Sequence, residues 1–258
     1  MITLSMAQTA LTIGAGSAVG FSLALVGGGG SILAVPALLY LVGIGDAHLA
    51  IGTSALAVAV NAFANLAQHA RKGNVKWPCA MVFAASGVLG AALGAALGKL
   101  TNGQHLLLLF AGVMMVIGLA MLRPKAAQGN PDVHLNRAVA GRLVPIGLTT
   151  GALSGFFGIG GGFLIVPGLM LGSGMPLINA IGSSLFAVGS FGLTTAISYA
   201  LSGLIDWPVA AWFIVGGILG GLIGTRMAIW ASGHKGLLNR IFAGLIFAVA
   251  AYIVYRSV

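Results

Sequence analysis

Two glycine-rich runs carry the pattern in this chain that most directly suggests chemistry. Gly27-Gly28-Gly29-Gly30-Ser31 leads into Val35-Pro36, and Gly158-Ile159-Gly160-Gly161-Gly162 leads into Val166-Pro167. No Gly-Lys-Ser/Thr follows either run, so neither is a nucleotide P-loop. Glycine lets a backbone bend sharply and approach a ligand closely. A short helix that begins at such a run presents unpaired N–H groups and about half a positive charge, which together suit a small anion. On this reading the ligand-facing positions are Gly28, Gly29, Gly30 and Ser31 in one run and Gly160, Gly161 and Gly162 in the other. The same glycines could instead serve close helix crossing.

Hydroxyls and amides stand nearby. Gly52-Thr53-Ser54 and Gly182-Ser183-Ser184 place Thr53, Ser54, Ser183 and Ser184 in the first turns of two long apolar segments. Hydroxyls bond oxyanions without the desolvation cost of a buried charge, though they also bond their own helix carbonyls. Asn61, Asn65, Gln68 and His69 share one side of a helix. Asn61 and Asn65 lie deep enough to face a cavity, whereas His69, beside Arg71, is expected at the membrane interface. Their counterparts later in the chain are Phe191, Thr195, Ser198 and Tyr199, so the two sides of any site are chemically unequal. The absences are equally informative. There is no Glu, and Asp46, Asp132 and Asp206 fall at segment ends or in a linker. A carboxylate relay for protons or sodium inside a membrane is therefore not expected. Cys79 is the single cysteine, and no catalytic or metal-ligating constellation appears, so neither an enzyme nor a bound cofactor or metal is expected.

These residues must be positioned by membrane helices. Of the 258 residues, 59% are hydrophobic and 6% are charged. A soluble domain carries about 25% charged residues, so that class is excluded, and disorder with it. The net charge of +9 comes from basic residues scattered between apolar runs, not from a stripe, which argues against nucleic acid as a partner. Mean hydropathy is +1.06, and long unbroken apolar segments exclude the alternation of a β-barrel. The fold class is all-α, a polytopic helical membrane protein whose solvent is the lipid bilayer. The N-terminus lacks a basic n-region, so the first apolar run reads as a membrane segment rather than a cleaved signal.

The chain contains its fold twice. Besides the glycine runs, GNVKWP at 73–78 matches GLIDWP at 203–208, and Phe110-Ala111-Gly112 matches Phe242-Ala243-Gly244. The expected organisation is a first transmembrane repeat at 1–122, a cytoplasmic linker at 123–141 and a second repeat at 142–258. Each repeat reads as five segments: 8–26, 31–42, 47–70, 77–100 and 105–122, then 142–157, 162–171, 177–200, 207–231 and 237–255. The second of each set is too short to cross a ~30 Å core as a helix. Trp77-Pro78 and Trp207-Pro208 start helices at the membrane interface. The stripes Gly87, Gly90, Gly94, Gly98 and Gly217, Gly220, Gly221, Gly224 read as helix packing. Basic residues favour the cytoplasm. Inverted repeats leave only Lys99 and Arg256 outside, whereas parallel repeats leave four basic residues there. Inverted five-segment repeats, each with a glycine-rich break and a short helix, are the expectation, and parallel repeats the alternative.

At these residues the sequence resembles the sulfite exporter TauE/SafE family, also called the 4-toluene sulfonate uptake permease family. The glycine runs into Val35-Pro36 and Val166-Pro167, the Gly-Thr-Ser and Gly-Ser-Ser turns and the two Trp-Pro starts carry the resemblance, which covers nearly the whole chain. It implies a multi-pass protein of the cell inner membrane that moves small sulfur-containing anions: sulfite, sulfonates, sulfoacetate or similar organosulfur acids. Alternating access around a midplane anion site is the expected mechanism. An anion-selective channel is the alternative, and a membrane-embedded enzyme or assembly factor a more distant one. Homo-oligomerisation stays open.

Overall fold

A computed structural model describes residues 5–101, 109, 112, 129–130, 132–157 and 162–232. The expected segments at 105–122 and 237–255 lie almost wholly outside these residues. Helix α1 is Met6–Val26, opened by a capping box in which Ser5 Oγ accepts from the Gln8 N–H and Gln8 Oε1 accepts from the Ser5 N–H. A broken helix follows. It comprises a 3₁₀ stretch Gly27–Leu33, one α turn, α2, at Ala34–Pro36, and a π turn Ala37–Val42. Then come α3 (Ala47–Arg71), α4 (Trp77–Leu100), α5 (Arg137–Phe157), α6 (Gly162–Ser173), α7 (Leu177–Ala200) and α8 (Trp207–Ser232). Among the described residues there is no strand, and five helical stretches are long and apolar enough to cross a membrane.

Two boundaries differ from the sequence reading. The chain does not wait until Ser31 to become helical: the glycines themselves form the 3₁₀ turn, and only Gly27 breaks the path, at φ 68° and ψ −145°. That backbone conformation favours glycine. Helix α5 begins at Arg137, inside the stretch read as linker, because Asn136 caps it by accepting the Val139 N–H at 2.8 Å.

The packing interleaves the two halves. Helix α4 lies along α5, and glycine makes this possible. A Cβ on Gly90, Gly94 or Gly98 would strike the backbone carbonyl of Leu148, Ala152 or Phe156 in turn. Residue numbers rise together, so the pair is parallel. Helices α1 and α8 repeat the arrangement: Gly220 meets the Ser17 carbonyl and Gly224 that of Phe21, again in parallel. Both glycine stripes therefore sit where helix backbones touch, the packing that small residues permit in membranes. Between these two pairs lie the equivalent helices α3 and α7. Gly52 lies against Tyr199, Gly192 against Ala55 and Ala59, and Gly189 against Phe63, so these two run antiparallel. The lipid-facing side of α4 carries Leu89, Leu93 and Leu97, all exposed.

This packing yields a direct test. Gly220→Ala and Gly151→Ala each drive a methyl into a neighbouring backbone, and are expected to lower stability by about 1–3 kcal/mol or more. Gly14, also in α1, has nothing within 4 Å of a built Cβ. Gly14→Ala should leave stability unchanged or raise it by about 0.5–1 kcal/mol. Thermal unfolding in detergent of the three variants checks both halves of the expectation.

Candidate functional site

The break at Gly27 organises the polar interior. In an unbroken helix the Gly28 N–H would donate to the Ala24 carbonyl. Here it donates across to the other half, to Ser184 Oγ on α7 at 3.1 Å. Ser31 closes the run by donating its hydroxyl to the Gly28 carbonyl at 2.7 Å. Gly28, Gly29, Gly30 and Ser31 are all buried. A Cβ on Gly27 would meet Ser184 Oγ at 2.6 Å, so the run is pressed directly onto α7. Of the second run, Gly160 and Gly161 lie outside the described residues and Gly162 opens α6.

The carbonyls of α1 are taken up by the polar side of α3. His69 Nε2 donates to the Ala24 carbonyl at 3.0 Å, and Asn65 Nδ2 to the Gly20 carbonyl at 3.3 Å. With its proton fixed on Nε2, His69 presents Nδ1 as the acceptor for Asn74 Nδ2 at 3.4 Å. His69 is thus wholly buried within the protein. Gln68 adds a bond to Asn65 Oδ1 at 3.3 Å. Broken membrane helices survive in this way, by finding substitute partners for freed backbone groups.

Thr53 and Ser183 act as a crossed pair. Thr53 Oγ1 accepts the N–H of Asp206 at 2.9 Å, and Ser183 Oγ accepts that of Lys76 at 2.8 Å. Lys76 and Asp206 immediately precede the Trp-Pro starts of α4 and α8, so each hydroxyl anchors a helix start in the opposite half. Both GNVKWP and GLIDWP turns dock beside these bonds, Asn74 against Gly182 and Leu204 against Gly52. Asp206 also caps α8 by accepting the Val209 N–H, and Asp46 caps α3 by accepting that of Leu49.

Ser54 and Ser184 donate to their own helix, to the carbonyls of Ile51 at 2.9 Å and Ile181 at 2.7 Å. A hydroxyl has one proton. In this conformation these two, with Ser31, therefore offer acceptor lone pairs to a neighbour rather than a donor to an anion. Asn61 differs. It is fully buried against Gly217 of α8, and neither its Nδ2 nor its Oδ1 has a hydrogen-bond partner. Among the described residues, unpartnered buried side-chain atoms belong to His48, Asn61, Ser154, Thr195 and Tyr199. Ser154 and His48 went unremarked in the sequence. The duplication offered one signal, because Thr195 and Tyr199 stand where the first half has the fully bonded Asn65 and His69. Arg226 is exposed on α8, as a side chain reaching for the headgroups would be. Among the described residues no group of three His, Cys, Asp or Glu is placed to hold a metal.

The crossed bonds give a stability prediction. Thr53→Val and Ser183→Ala each strand a backbone N–H and should cost about 1–3 kcal/mol. Equilibrium unfolding of the two variants and their double mutant is the check. Independent bonds at opposite ends of the α3–α7 pair should give nearly additive losses.

Comparisons with known proteins bear on what such a chain is. The family model described as Sulfite exporter TauE/SafE matches residues 12–253. A probable membrane transporter protein of Xylella fastidiosa (strain Temecula1) is 54% identical over 248 residues, covering 96% of this chain and 95% of that protein. The probable membrane transporter protein YunE of Bacillus subtilis (strain 168) is 30% identical over 232 residues, covering 79% of this chain and 84% of its own. No solved structure matches the chain. With a multi-pass apolar helical fold and a family match spanning nearly its whole length, this chain is a membrane transporter that belongs to the TauE/SafE sulfite exporter family.

Proposed function

We propose that the chain moves small sulfur-containing anions, such as sulfite or organic sulfonates, across the cell inner membrane by alternating access. The observation that carries this reading is the arrangement of three helix pairs. Two tightly packed parallel pairs, α1 with α8 and α4 with α5, flank the antiparallel pair α3 and α7. Each flanking pair joins one helix from each half, and its glycine contacts leave no slack for internal sliding. Such pairs move as rigid arms against a central pair, and a site between them opens to one side at a time. The opposite directions of the equivalent helices α3 and α7 support an inverted relation between the halves. The basic turn at 71–76 then faces the cytoplasm, and the turn at 201–206 faces outward.

The substrate on this reading meets Gly28–Ser31 and Gly160–Gly162, with Thr53, Ser54, Ser183, Ser184, Asn61 and Asn65 around them. Once Ser31, Ser54 and Ser184 turn their hydroxyls off the carbonyls of Gly28, Ile51 and Ile181, backbone donors and neutral side chains hold an anion loosely enough to release it, which a buried Arg or Lys would not. Asp46 and Asp206 serve as helix caps, so transport does not run through a carboxylate relay. An oligomer is not required by this mechanism.

Two measurements test the proposal. Purified chain in proteoliposomes should carry sulfite, sulfoacetate or 4-toluene sulfonate faster than empty vesicles. A correctly folded preparation that moves none of them sinks the substrate class. For orientation, Lys72→Cys and Leu201→Cys are placed singly in a Cys79→Ala background. An impermeant maleimide added to intact cells should label the Leu201→Cys variant and spare the Lys72→Cys variant. Labelling of both from outside removes the inverted arrangement.

A further inference from the structure

The two halves treat one pair of positions differently. On α3, Asn65 and His69 bond the carbonyls of Gly20 and Ala24 on α1. Their equivalents on α7 are Thr195 and Tyr199, one helical turn apart on the same face. Both are fully buried, and both hydroxyls are without a partner. The equivalents of Gly20 and Ala24 on α5 are Gly151 and Gly155. Ser154, in the turn between them, is also fully buried with an unpartnered hydroxyl. Two further groups adjoin Tyr199. The His48 ring lies 6.4 Å away with its Nδ1 unpartnered. The Lys99 ammonium sits 6.0 Å from the Tyr199 ring centre, held at 3.1 Å by the Ser198 carbonyl and by Ser202 Oγ.

Three buried hydroxyls without partners on two contacting helices are costly in an apolar interior, each by about 1–3 kcal/mol. The first half shows that the fold can satisfy this seam internally. We infer that the α5–α7 seam is a binding site for a small sulfur oxyanion, held by the hydroxyls of Ser154, Thr195 and Tyr199, with Lys99 supplying the nearby positive charge. Hydroxyls donate to oxyanion oxygens, and Lys99 offsets the charge from the rim without entering the seam. This inference rests on the transport reading above and moves the weight of binding away from the glycine runs, toward the second half. It also gives the inequality of the halves a purpose: one seam is locked by its own side chains, and the other is left for the substrate.

The test uses the full chain in detergent and in proteoliposomes, with sulfite and sulfoacetate as probes. Ser154→Ala, Thr195→Val and Tyr199→Phe remove single hydroxyls with little change of shape. Each should weaken binding by about fivefold, as expected for one lost hydrogen bond. Thermal stability in the absence of ligand should hold or rise, because no protein partner is lost. Lys99→Gln should weaken binding and reduce its sensitivity to salt. Binding unchanged within twofold in all three hydroxyl variants, in a wild type that does bind, overturns the inference alone and leaves water as the seam's occupant. A loss of stability with binding unchanged does the same and makes the hydroxyls structural. A wild type that binds neither probe overturns the transport reading and this inference together.

Discussion

Inside a bilayer every backbone N–H and C=O must find its partner within the protein, and the break after α1 puts that constraint at the centre of this structure. Once Gly27 turns the chain, the Gly28 N–H and the last carbonyls of α1 no longer serve one another. Ser184 takes the first and His69 the Ala24 carbonyl, while Asn65 adds a bond to the Gly20 carbonyl one turn further back. These are side chains from two different helices, one in each half. The broken helix is thus held by the interior of the whole molecule. The same logic governs the starts of α4 and α8, whose leading N–H groups are met by Ser183 and Thr53 from across the repeat.

Glycine supplies the second half of that arrangement. Side chains can reach neighbouring carbonyls only where helices come close, and on α1–α8 and α4–α5 they come as close as backbones allow. Asn61 and Asn65 lie against Gly217 and Gly221, which leave room for amides where larger residues would not. At the equivalent place on α7, Phe191 fills the niche of Gly87 and stacks on Phe83 at 6.2 Å. One half thus lines its central helix with amides and an imidazole, the other with aromatic rings and hydroxyls. Matching long helices thus carry unlike interiors.

Much of this was legible in the sequence, and what was not has a common cause. Helix extents, the duplication, the Trp-Pro starts and the packing role of the glycine stripes all follow from periodicity and residue type, which are local. Partners across the repeat are not local. Thr53 and Asp206 are 153 residues apart, and Gly28 and Ser184 156. That Thr53 and Ser183 accept the N–H groups of Asp206 and Lys76 could not be seen from their own segments, where only their helix carbonyls stood as partners. The partners that hold His69 inside the protein, the Ala24 carbonyl and Asn74, were likewise not legible from its own segment. The early start of α5 turned on a single capping residue, Asn136, within an otherwise linker-like stretch.

The pairing of α1 with α8 also bears on how the protein is made. These helices touch at residues about 200 positions apart, so α1 leaves the ribosome long before its closest neighbour exists. At typical synthesis rates of about 5–20 residues per second, that gap lasts on the order of ten seconds or more. During it, the face that will meet Gly217 and Gly220 must rest against lipid or an insertion factor. Neither half can complete its packing alone, so a chain truncated after the linker has no native resting state to reach. An ancestral single-repeat protein with this packing would have had to exchange helices between two copies, and gene fusion would have removed the search for the second copy.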